Sequence, residues 1–228
     1  MDVLSALAGL PSTTVLIALI VASSLLVVLA DWRVLNLILG IEYLLIGAFL
    51  VVSQIEGFPA ELAIVKALVG IMIVPMLYIS ARRARWGKSP DETEEEEIAD
   101  VPPMRFGWLR SPGLALRGII ALLGVAVALS LALRNPIEIT ASQTSSRDIT
   151  IATFVLIAQG TLNIALNENP LKVGLGLLTI LAGFEAFYTV VEPTLLVVAL
   201  LGLLNLVIAL ALSFLITAWA ARPHKVAR

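Results

Sequence analysis

Long apolar runs fill most of this chain, and each is ended by a brief polar or proline-marked break. A helix that crosses a bilayer needs about 20 consecutive, mainly apolar residues. On that basis the pattern predicts seven spans, at 12–30, 34–54, 60–82, 113–134, 149–167, 171–191 and 194–217. The breaks are Asp31-Trp32-Arg33, Gln54 to Pro59, Asn135-Pro136, Asn167 to Pro170 and Glu192-Pro193. Proline suits the first turn of a new helix, where the backbone N–H has no intrahelical acceptor. The expected fold is all-α, a polytopic membrane helix bundle of about seven transmembrane helices.

Composition agrees with this pattern. Of 228 residues, 59% are hydrophobic and only 14% charged, too few charges to cover a soluble domain of this size, so the apolar surplus must face lipid. A net charge of −2 gives no electrostatic reason for nucleic acid as a partner. The chain has no cysteine, which removes disulfides, thiolate metal sites and cysteine-ligated clusters. Its one histidine, His224, lies in a basic C-terminal tail and reads as a surface residue. No cofactor or metal is expected, nor catalysis by this chain alone. The N-terminus carries Asp2 where a signal peptide would carry a basic region, so the first apolar run is expected to remain as a span.

The distribution of charge orients the bundle. With the N-terminus outside, the inner side receives Arg33, then Arg82, Arg83, Arg85, Lys88, Arg105, Arg110 and Arg117, then Lys172, and finally Arg222, Lys225 and Arg228. Only Arg134 and Arg147 fall outside, and Lys66 lies within a span. This strong positive-inside bias places the C-terminus in the cytoplasm and predicts a multi-pass protein of a prokaryotic inner membrane. Residues 83–112 form the one long connection, an acidic cytoplasmic linker with Glu94 to Glu97 at its centre. Around it the chain divides into an N-terminal three-helix unit at 1–82, a connecting helix at 113–134 and a C-terminal three-helix unit at 135–228. The middle helix of each unit carries a glutamate after the same small-residue step, Gly40-Ile41-Glu42 and Gly183-Phe184-Glu185. A single helix between two three-helix units makes them parallel, a 3+1+3 arrangement.

A charge inside a span costs at least ~2.5–3.5 kcal/mol and is a functional candidate by default. Glu42 falls near the middle of its span, whereas Glu185 and Lys66 lie nearer the outer surface. Asn205 is close to the centre of the last span. A lone carboxyl in lipid is held neutral by desolvation, but one near water and a cation can load and release a proton. The competing reading is structural. The glutamates can hydrogen-bond neighbouring helices, Lys66 can snorkel outward, and Gln159 and Asn163, four apart on one face, can join helices rather than carry water. Pro75 should kink the helix nine residues beyond Lys66. Gly40, Gly47, Gly174, Gly176 and Gly202 fit close helix packing.

These residues carry a family resemblance. The stretch from Gly160 to Leu215, with Asn169-Pro170 in a tight loop and then Gly183-Phe184-Glu185 in an apolar helix, resembles subunit K of respiratory complex I. The whole chain, over roughly 15–220, is similar to a longer relative, the E-type membrane component of hydrogenase-4 and formate hydrogenlyase-type complexes. There the helix with Lys66 before Val74-Pro75, ending in Ala81-Arg82-Arg83, resembles the third helix. The resemblance implies a non-redox protein beside antiporter-like and other membrane-arm subunits, embedded in lipid and contributing to proton or sodium translocation. Glu185 matches the first intramembrane glutamate of subunit K. The second is absent, and Asn205 stands near its depth. Glu42 and Lys66 are candidates to replace the missing charge, although their depths differ by about 10 Å by helical rise, so direct pairing would need bridging water or helix shifts.

Three other readings stand beside this one: a subunit of a multisubunit sodium/proton antiporter without a redox arm, a small independent transporter, and a purely structural scaffold. The orientation is open to direct test. A fluorescent reporter that folds only in the cytoplasm should be bright when inserted within 89–100 or fused after Arg228, and an alkaline phosphatase at the same points should be inactive. The reverse pattern would invert the topology.

Overall fold

The computed structural model describes residues 11–53, 60–84, 112–135, 143–192 and 194–220. The acidic core of the linker and the basic tail with His224 lie outside the described residues. Those described form seven α-helices and no strand: α1 (Ser12–Val28), α2 (Trp32–Val52), α3 (Ala60–Arg83), α4 (Pro112–Arg134), α5 (Gln143–Ala165), α6 (Pro170–Val191) and α7 (Leu195–Ala220). Six of them, α2 to α7, are long and apolar enough to cross a membrane, and α1 is a shorter apolar helix of 17 residues. The protein is a polytopic helical membrane bundle.

Local chemistry sets the helix starts. The Asp31 carboxylate accepts the Arg33 N–H at 2.9 Å and caps α2. Asn169 does the same for Leu171 N–H at the head of α6, with Pro170 at the first helical position. Both side chains satisfy a backbone donor that the helix itself leaves without an acceptor. α5 begins at Gln143, six residues before the apolar run that predicted it, because the polar turn Gln143 to Asp148 continues the helix beyond the apolar stretch. Ser12 at the start of α1 donates to Asp148 Oδ2 at 2.8 Å and ties the two helices together there.

In the bundle, α1 packs on α5, α2 on α6 and α3 on α7, besides the contacts between sequence neighbours. Each of the first three helices therefore touches the helix in the same position of the last three. The six helices thus form two rows of three side by side, α1-α2-α3 against α5-α6-α7. The most extensive helix packing is between α5 and α6. It is close because Gly160 and Gly176 face each other: a Cβ added at Gly160 would lie 2.6 Å from the Gly176 carbonyl oxygen. Small residues of this kind let helix backbones approach where lipid supplies no hydrophobic driving force between helices. α4 stands at the rim on α5 and α1, and most of its surface, including Leu122 and Leu123, is exposed. α7 also presents an apolar outer face, with Leu196 and Phe214 exposed. Both faces suit lipid.

Two apolar clusters occupy the bundle, one at each end. The first joins Leu16 and Leu19 of α1, Phe49 of α2, Ile149 and Leu156 of α5, and Ala182 and Ala186 of α6. The second joins Leu35 and Leu39 of α2, Ile73 and Leu77 of α3, Leu175 of α6 and Leu212 of α7. Between them the interior turns polar.

The glycine contact gives a sharp stability test. Gly160→Val forces a side chain into backbone and should destabilise the bundle by about 1–3 kcal/mol or more. Gly118→Ala on the exposed side of α4, where a Cβ meets nothing within 4 Å, should leave thermal unfolding in detergent unchanged or slightly later.

Candidate functional site

One group of interior polar side chains comes from α2, α3, α6 and α7. Glu42, Tyr43, Lys66, Thr179, Glu185 and Asn205 are all buried. α6 presents Glu185 toward α3 and α7, where the Lys66 ammonium forms an ion pair with Glu185 Oε2. Asn205 Nδ2 donates to Glu185 Oε1 at 2.5 Å, and the Tyr43 hydroxyl donates to Asn205 Oδ1 at 3.0 Å. The Lys66 ammonium also lies 5.6 Å from the centre of the Tyr43 ring, within the range of a cation–π attraction. One connected network therefore runs from Tyr43 through Asn205 and Glu185 to Lys66, joining four helices.

Backbone geometry makes room for this network. Lys66 and Gly70 are four apart and share a face of α3. A Cβ at Gly70 would fall 2.6 Å from Tyr43 Cβ, so the glycine is what admits the tyrosine to the crevice beneath Lys66. On the other side of α3, Gly202 of α7 brings its backbone against Val69. This approach places Asn205, one turn further on, level with Glu185. Below Lys66, Pro75 lies inside α3, and Asn36 Nδ2 donates to the adjacent Val74 carbonyl at 2.7 Å. The side chain of α2 thus anchors α3 at its proline.

Glu42 is separate from the Lys66–Glu185 pair. Its Oε2 accepts from the Thr179 hydroxyl at 3.3 Å, and its Oε1 has no hydrogen-bond partner among the described residues. Thr179 lies six residues before Glu185, so the two carboxyl groups sit at levels about 9 Å apart along α6. The lysine in α3 pairs with the glutamate of the opposite three-helix unit rather than with Glu42.

The other candidates from the sequence lie elsewhere. Gln159 Nε2 donates to the Ala121 carbonyl of α4 at 2.8 Å, a bond between helices. Asn163 accepts from Asn167 at the end of its own helix. Neither joins the network. Tyr43, Thr179 and Gly70 carried no signal in the sequence, since an aromatic, a threonine or a glycine in an apolar run reads as packing. Lys172, counted with the inner basic residues, is buried at the head of α6 and donates to the Leu29 carbonyl at 2.7 Å, closing the last turn of α1 as a C-terminal lysine can.

Lys66 with Glu185 can hold two charges or, by moving one proton between them, none. That is a site able to store and pass a proton in a setting where a single charge is expensive. Among the described residues no group of histidine and carboxylate side chains could hold a metal ion. No protein-family model, curated protein or solved structure matches the chain.

A buried ion pair implies a specific pattern of stabilities. Removing one partner leaves the other charge uncompensated and costs about 3–5 kcal/mol, while replacing both with neutral groups is close to neutral. Lys66→Met should therefore lower the unfolding midpoint in detergent more than the Lys66→Met, Glu185→Gln double variant does. A double variant weaker than the single one would show that the two side chains do not act as a pair.

Proposed function

We propose that this protein is a non-redox membrane component of an ion-translocating assembly of the hydrogenase-4 or complex I type, with the Lys66–Glu185 pair as its ion-handling site. The observation that carries this reading is the pair itself: a lysine and a glutamate from different helices, both buried in a lipid-facing bundle, with the glutamate also accepting from Asn205. A scaffold needs no such charges, because apolar packing holds helices together at lower cost. The chain has no cysteine and a single histidine, so redox chemistry is assigned to partner subunits. The resemblance of the Gly183-Phe184-Glu185 helix to subunit K supports the same reading. On this reading the protein works in a prokaryotic inner membrane beside antiporter-like subunits.

In this mechanism the closed pair holds Lys66 as the ammonium and Glu185 as the carboxylate. When the helices that carry them shift apart, Glu185 takes up a proton from outside the pair. Lys66, left as an unpaired cation, repels the next one until the pair closes and Glu185 releases its proton. Pro75 and the Asn36 contact mark where α3 can pivot, since a proline removes one rung of the helix ladder. Glu42, at its own level, is a second station that Thr179 alone addresses.

The test is ion transport in inverted membrane vesicles from the host. Glu185→Gln should abolish coupled acidification while mass spectrometry of the purified assembly shows the same subunits as in wild type. Acidification at the wild-type rate would remove the pair from the path. An assembly of antiporter-like subunits with no redox arm would replace the hydrogenase-type reading with the antiporter reading.

A further inference from the structure

Beyond the ion pair itself, the structure assigns to Tyr43 the role of a positioning residue that anchors Asn205 against Glu185. This inference rests on the reading of Glu185 as the ion-handling carboxylate, although the hydrogen-bond chain behind it does not.

The argument begins with the amide. Asparagine carries one acceptor and two donors at nearly the same place, so its two orientations fill the same space and differ only in what they offer a neighbour. With Nδ2 toward Glu185, Asn205 donates to a carboxylate oxygen. With the amide turned over, Oδ1 would meet that oxygen, and two acceptors would face each other. The carboxylate, which can only accept, selects the first orientation, and the partner on the far side of the amide holds Asn205 in place. There the Tyr43 hydroxyl lies 3.0 Å from Asn205 Oδ1, and because Oδ1 carries no hydrogen, the hydroxyl must be the donor. Both groups are buried, where an unmade hydrogen bond costs most.

Tyr43 also has little freedom to move. Its ring occupies the space that Gly70 leaves on α3 and lies under the Lys66 ammonium. The hydroxyl is therefore delivered to Asn205 by the same face of α3 that delivers Lys66 to Glu185. The tyrosine contacts both members of the pair's surroundings: its ring faces the cation, and its hydroxyl acts through the amide on the anion. Tyr43→Phe keeps the ring and removes only the hydroxyl, so it separates these two actions.

The experiment uses the full chain in lipid nanodiscs and infrared difference spectroscopy. The carboxylate band of Glu185 is identified by its loss in Glu185→Gln. Tyr43→Phe should displace that band, and Asn205→Ala should displace it as well. The double variant should shift it no further than Asn205→Ala alone, because Tyr43 acts through Asn205. Tyr188→Phe, on the half-exposed side of α6 against Phe184, serves as the control and should leave the band in place. In vesicles, Tyr43→Phe should slow coupled acidification by up to roughly tenfold, the scale of one buried hydrogen bond between neutral groups.

A Glu185 band unmoved by Tyr43→Phe, or shifts that add in the double variant, would overturn the role given to Tyr43. Should Tyr43→Phe fail to assemble, Asn205→Ala gives the deciding result: a band that it leaves unchanged breaks the chain at its second link. A band displaced as expected while Glu185→Gln still transports at the wild-type rate would instead sink the functional reading and leave the positioning chain standing.

Discussion

The cost of placing charge in a low-dielectric interior governs this structure. An isolated ammonium or carboxylate there loses its hydration with nothing in return, whereas an ion pair with further hydrogen bonds recovers much of that loss. Lys66 and Glu185 meet this condition only because α3, α6 and α7 converge at one level, and much of the packing serves that convergence. Gly202 lets α7 reach α3, Gly70 admits Tyr43, and Gly160 with Gly176 draws α5 onto α6. Apolar clusters toward each end of the bundle pack the helices around this site.

The two three-helix units do not contribute equally to that site. Each supplies a glutamate after a glycine-containing step on its middle helix, yet among the described residues only Glu185 obtains a cation, and the cation comes from the other unit. Among those residues Glu42 accepts from one hydroxyl, that of Thr179. Two similarly placed glutamates have two different electrostatic settings. Breaking the equivalence in this way distinguishes two positions along the bundle that sequence similarity alone would have treated as alike.

The helices were legible in the sequence because apolar length and punctuation act locally. Asp31, Asn169 and Pro170 mark the starts of α2 and α6 by the same chemistry that caps them in the structure. Depth was legible as well, since counting residues from a break places Lys66 and Glu185 at similar levels. Rotation was not. Whether Lys66 faces lipid, Glu42 or Glu185 depends on which side of α3 meets α6 and α7, and an apolar helix with little amphipathicity gives no indication of it. Tyr43 shows the same limit. In Glu42-Tyr43-Leu44 it reads as one more bulky residue, and only the glycine on the opposing helix reveals why an aromatic with a hydroxyl stands there. Gln159 was legible as a helix-joining amide, because such bonds are the common use of amides in lipid.

The shortness of α1 has a further consequence. Its 17 residues span about 25 Å, whereas the hydrocarbon layer of a bilayer is about 30 Å thick. Its neighbours α2 and α6 have 21 and 22 residues. A helix as short as α1 fits a bilayer of ordinary thickness only where the lipid thins beside it or polar flanks are drawn inward, at a modest cost for each ångström of mismatch. At its inner end the Lys172 ammonium sits on the Leu29 carbonyl, so the shortest described helix closes against a charge.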